Sequence, residues 1–84
     1  MNVSFTPNAW EDYFYWQKTD KKTVKRINEL IKDIMRSPFE GMGKPEGLKY
    51  DLAGKWSRRI SAKHRLVYQV EDGHLIVYTC RYHY

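Results

Sequence analysis

With 84 residues, 15 Lys+Arg against 10 Asp+Glu and a formal charge of +5, the chain has room for one small domain, residues 1–84, and for no second core. A globule of this size buries only about 60% of the surface its unfolded chain exposes, so any chemistry must use a shallow surface site. Hydrophobic residues at 42% and charged residues at 30% argue for a folded chain; the lone Cys80 excludes an internal disulfide, and neither a signal peptide nor a membrane-spanning run is visible, which points to the cytoplasm.

Val3 and Phe5 alternate with polar neighbours and predict a short first strand. Thr6-Pro7 supplies an N-cap and a proline at the first helical position, so a helix should follow. Five of the seven residues from Trp10 to Trp16 are aromatic, and Trp10, Tyr13, Phe14 and Gln17 share one face at helical spacing; these rings are expected to fill the core under a small sheet. Asp20 can cap a second helix, in which Val24, Ile27, Ile31 and Ile34 form an apolar stripe widened by Leu30 and Met35. Ser37-Pro38 stops it, because the residue before a proline avoids the helical region.

From Pro38 to Gly47 three glycines and two prolines in ten residues predict an irregular loop, a type of segment that carries function on a rigid scaffold. Leu48, Tyr50 and Leu52 alternate with Lys49 and Asp51 as a strand would, Ala53-Gly54 turns the chain, and Trp56, Arg58 and Ile60 alternate with Lys55, Ser57, Arg59 and Ser61. His64 to Val70 reads as a further strand, Glu71-Asp72-Gly73 as a hairpin turn, and Leu75 to Tyr82 as a last strand. The fold class is therefore α+β: a short N-terminal strand, a two-helix hairpin, then an antiparallel meander. The hairpin should cover one face of an antiparallel sheet and leave the other open.

The charge is unevenly placed. Residues 1–43 hold seven basic and six acidic side chains, whereas residues 44–84 hold eight and four. Lys55, Arg58, Arg59, Lys63, His64 and Arg65 fall within eleven positions with no acid among them, beside Trp56 and near Tyr68. Cations with aromatics suit a phosphate backbone and unstacked bases, and a solvated strand face suits the same composition equally well.

The histidines His64, His74 and His83 lack zinc-motif spacing, and neither GxSxG, a Walker loop nor a dinucleotide fingerprint is present. No metal site and no cofactor is expected. RNA carries its own nucleophile: the 2′-hydroxyl can attack the adjacent phosphorus if one group takes its proton, another protonates the leaving 5′ oxygen, and cations meet the charge that develops on the phosphorane. Glu46, Arg65 and His83 are residues of the right type, but spacing alone does not bring them together. Taken singly they read as a loop acid, a surface cation and a tail residue.

The segments SPFEGMGKPEGLK (Ser37 to Lys49), WSRRI (Trp56 to Ile60), HRLVY (His64 to Tyr68) and CRYHY (Cys80 to Tyr84), with WEDYFYWQKTDKK from Trp10, closely resemble the YoeB or Txe toxin family of the RelE/ParE superfamily. The resemblance spans essentially the whole chain. It implies a RelE-like fold and a toxin that cuts messenger RNA in the ribosomal A site, leaving 2′,3′-cyclic phosphate and 5′-hydroxyl ends. It further implies a neutralising antitoxin of the YefM/Axe kind; a homodimer is left open. By matching motif, Glu46 is the general base, Arg65 stabilises the phosphorane, His83 is the general acid, Tyr84 helps position substrate, and Lys49 and Arg59 are supporting cations. Lys55 and Arg58 join them as RNA-contacting cations of the basic run. The carboxylate of Tyr84, one residue from His83, would favour the imidazolium, while Arg65 and Arg81 oppose it. The rival readings are a ParE-like gyrase poison and a non-catalytic RNA- or ribosome-binding module.

Overall fold

A computed structural model describes residues 1–82. Thr6 caps helix α1 (Pro7–Thr19) by accepting the Ala9 amide, with Pro7 in its first turn, and Asp20 caps α2 (Lys21–Arg36) by accepting from Lys22 and Thr23. Asp20 is also the residue that closes α1, so one side chain sets the corner of the helical hairpin. α2 ends at Arg36, before Ser37-Pro38.

Five strands form one sheet: β1 (Asn2–Phe5), β2 (Glu46–Gly47), β3 (Trp56–Arg59), β4 (Arg65–Glu71) and β5 (His74–Thr79), in the order β1-β5-β4-β3-β2. The meander from β2 to β5 is antiparallel as expected. β1 adds to it parallel to β5, Val3 opposite Leu75 and Phe5 opposite Val77, so the sheet as a whole is mixed. No hairpin dictates the direction of that edge pair, because nearly the whole chain lies between its strands. Asp72 and Gly73, both at positive φ, make the two-residue turn that joins β4 to β5.

Three expectations need correction. The last strand, expected to run to Tyr82, ends at Thr79. The alternation at Leu48, Tyr50 and Leu52 is not a strand: Tyr50–Leu52 is a single 3-10 turn, Tyr50 has a φ of 57° and is 92% exposed, and the strand pairing with β3 comes earlier, at Glu46–Gly47. A period of two over five residues also fits a chain that leaves an edge strand and enters a tight turn. The aromatic face of α1 is also not the core face. Trp10 and Phe14 are each half exposed, whereas Ala9 and Trp16 are buried with Tyr13 partly so. With rings all round the helix, apolar periodicity could not set its phase.

The core lies between the helices and one face of the sheet. Ile27, Leu30 and Ile34 of α2 meet Leu66 and Tyr68 of β4 and Leu75 and Val77 of β5, with Cys80 beyond them. Burial raises the Cys80 thiol to about 12. Iodoacetamide at pH 8 should therefore leave Cys80 unmodified in the folded protein and alkylate it fully in denaturant, as read by mass spectrometry. No helix among the described residues is long and apolar enough to cross a membrane.

Candidate functional site

The register fixes what the uncovered face presents. Directly paired residues share a face, and so do residues two apart on a strand. Glu46 pairs with Ser57, Ser57 with Val67, and Arg59 with Arg65. Arg58 and Leu66, the pair between them, point to the helices. Glu46, Ser57, Arg59 and Arg65 therefore stand together on the face away from the helices. Ser57 and Val67 are buried and form its floor, Glu46 and Arg59 are exposed, and Arg65 is half-buried. Two strand spacings of about 4.8 Å and one step of about 6.8 Å along a strand separate the Glu46 and Arg65 backbones, which a glutamate and an arginine can close around one phosphodiester.

Two arginines directly opposite each other repel, and the sheet tolerates this only at a cost that an anion would remove. Arg65 is held in place by one end: its Nη1 donates to the carbonyls of Ser61 (2.9 Å), His64 (3.2 Å) and Ala62 (3.4 Å) in the β3–β4 turn. Lys55, on the same face by alternation, lies over the Tyr78 ring at 4.7 Å, and the Tyr78 hydroxyl donates to Gln69 Oε1. Lys49 is exposed just after β2, where the 3-10 turn begins. The expected roles of His83 and Tyr84 fall outside the described residues.

Arg58 is a correction. It is 0% exposed and cannot contact RNA. Its Nη1 pairs with Asp33 of α2, its Nη2 donates to the Ser37 carbonyl (2.6 Å) and the Glu40 carbonyl (3.0 Å), and its Nε donates to the Tyr68 hydroxyl (3.2 Å). Tyr68 in turn donates to the Pro38 carbonyl, and Asp33 accepts the Met42 amide. One buried guanidinium thus knots the 37–42 loop to both α2 and the sheet, and that loop leads directly into Glu46. Gly41, at a φ of +121°, faces the Asp33 carboxylate so closely that a Cβ there would collide with Oδ2. The Met42 amide, then Arg58 and Arg36, hold the Asp33 carboxyl down to about 2.

The segment that follows β5 is anchored by contacts that the sequence did not announce. Asp12 accepts the Cys80 amide (3.0 Å), Trp16 Nε1 donates to the Cys80 carbonyl (2.8 Å), His64 Nδ1 accepts the Tyr82 amide (2.7 Å), and the Arg65 amide donates to the Tyr82 carbonyl (3.0 Å). These partners lie up to 68 residues apart in the chain, so only the folded structure reveals them. Burial raises the Asp12 carboxyl, partly offset by the Cys80 amide and Arg81.

The chain as a whole is similar to known proteins. Residues 5–84 match the family described as YoeB-like toxin of bacterial type II toxin-antitoxin system. Toxin YoeB of Escherichia coli K12 is 60% identical over the full length of both chains. Two Staphylococcus aureus structures, a heterotetrameric YoeB-YefM toxin-antitoxin complex and a YoeB dimer, are each 55% identical and superpose with TM-scores of 0.93 and 0.94, covering 100% of this chain and 98% of theirs.

Proposed function

The chain belongs to the YoeB-like toxins of bacterial type II toxin-antitoxin systems, and from that premise we propose that it is an endoribonuclease which cuts messenger RNA in the ribosomal A site by acid-base chemistry. The observation that carries this reading is the register that sets Glu46, Arg59 and Arg65 on one uncovered face. Glu46 takes the proton of the 2′-hydroxyl, the oxygen attacks the adjacent phosphorus, and Arg65 with Arg59 meets the charge that grows on the phosphorane. His83 protonates the departing 5′ oxygen and Tyr84 steadies the substrate. Lys49 and Lys55 draw the RNA backbone to the face. The products are a 2′,3′-cyclic phosphate and a 5′-hydroxyl.

A shallow face cannot by itself orient a flexible strand, so the ribosome supplies the alignment of 2′ oxygen, phosphorus and leaving oxygen. This work is done in the cytoplasm. An antitoxin like the YefM of the Staphylococcus aureus complex is the natural inhibitor, and its contacting segment should be rich in Asp and Glu to complement Arg59 and Arg65. A homodimer like that of the same organism's YoeB is a second assembly open to the chain. Mapping the ends left on a message paused on the ribosome tests the chemistry: cyclic phosphate and 5′-hydroxyl termini are expected, with far slower cutting of the same RNA without ribosomes. Products bearing 3′-hydroxyl ends would overturn it.

A further inference from the structure

We propose that His64 is a positioning residue for this reaction, acting by accepting the Tyr82 amide and so fixing residues 80–82 against the strand that carries Arg65; the proposal rests on the cleavage reading above. His64 directly precedes Arg65, and the two clasp one residue. His64 Nδ1 accepts the Tyr82 N–H at 2.7 Å, and the Arg65 N–H donates to the Tyr82 C=O at 3.0 Å. The imidazole is oriented by the Trp16 ring, 4.8 Å away and edge-on at 81°, and it lies 5.7 Å from the Tyr82 ring. Trp16 itself holds the Cys80 carbonyl. One dipeptide thus places the phosphate-binding guanidinium and the peptide group to which His83 is attached. One backbone hydrogen bond, from the Arg65 N–H to the Tyr82 C=O, ties the strand that carries the guanidinium to that peptide group. Displacements of about 1 Å in a reacting assembly cost on the order of 10²-fold in rate, which is the scale on which this contact should act.

The contact requires an Nδ1 that bears no proton, hence the neutral imidazole protonated at Nε2. His64 is consequently an acceptor here rather than one of the cations of the basic run. The distinction decides the choice of variants. In His64→Asn the amide oxygen can occupy the place of Nδ1 and accept the Tyr82 amide. In His64→Gln the polar atoms lie one bond further out and Nδ1 has no counterpart. His64→Lys offers charge and no acceptor.

Two measurements on the full chain test the idea. In ribosome-dependent cleavage, His64→Gln and His64→Lys should lose about 10²-fold in kcat with little change in KM, while His64→Asn keeps most of the wild-type kcat. In hydrogen exchange followed by NMR, the Tyr82 amide should be protected in the wild type and in His64→Asn and exchange rapidly in His64→Gln, with core amides such as that of Leu75 protected in all three. Cleavage rescued by His64→Lys but not by His64→Asn would show a phosphate-contacting cation and overturn the proposal, as would a Tyr82 amide equally protected in His64→Gln. If the wild type cuts no RNA, the cleavage reading fails on its own, and the Tyr82 exchange still decides whether His64 holds the segment.

Discussion

Changing Glu46 to Gln should slow cleavage of a ribosome-bound message by about 10²–10⁴-fold, the usual contribution of a positioned general base. The fold should hardly notice. Glu46 is exposed on a two-residue edge strand, and an exposed side chain away from any cap or buried network usually changes stability by no more than about 0.5 kcal/mol. Affinity for the ribosome should also survive, because Gln keeps the shape and removes one negative charge from a basic face. The variant therefore separates an enzyme from a module that only binds: loss of cutting with retained ribosome binding is the expected result. Full cutting activity in Glu46→Gln would assign the proton abstraction elsewhere.

Arg58→Ala should do the reverse and damage the fold first. Removing one partner of a buried ion pair leaves the other uncompensated and costs about 3–5 kcal/mol. Here the lost guanidinium also abandons the Ser37, Glu40 and Met42 carbonyls and the Tyr68 hydroxyl. A small domain has only about 5–15 kcal/mol in total, so a large fraction of its stability should be lost, seen as a lowered urea midpoint. Arg58→Lys should recover little, since one ammonium cannot reach partners spread around a planar fork. The same knot predicts an acid limb. The Asp33 carboxyl is held down to about 2 in the folded state against an ordinary value near 3.8, so the stability it contributes is complete above about pH 4 and disappears as the pH falls towards 2. In Asp33→Asn that part of the pH dependence of the urea midpoint should vanish. An unchanged acid limb would show that other carboxylates produce it.

The sequence held more about Arg58 than its composition suggested. Alternation sets Arg58 with Trp56 and Ile60 on the inner face of the strand, while counting charges assigns it to the basic surface; alternation was the better guide. Asp33 carries the matching signal, an acid inside the apolar stripe between Leu30 and Ile34 that needs a buried partner. The caps at Thr6 and Asp20, the stop at Ser37-Pro38 and the Asp72-Gly73 turn were legible because each is local chemistry within a few residues. The phase of α1 was not, since rings on every side of a helix leave the choice of buried face to the sheet it meets. For the site, residue types and motif resemblance named Glu46, Arg59 and Arg65, and only the β2–β3–β4 register shows that they share a face. The clasp of Asp12, Trp16 and His64 on residues 80–82 had no sequence signal, because it joins helix, turn and tail across most of the chain.

The most direct measurement is single-turnover cleavage of a message paused on the ribosome, with a single 2′-deoxy nucleotide on the 5′ side of the cut. Attack by the RNA's own 2′ oxygen is the step we propose that Glu46, Arg59 and Arg65 assist. Without that oxygen, cutting at this bond should cease while cleavage of the all-ribose message proceeds on the same ribosomes. Equal rates for the two messages would contradict the mechanism, because the nucleophile would then have to come from water or from the protein.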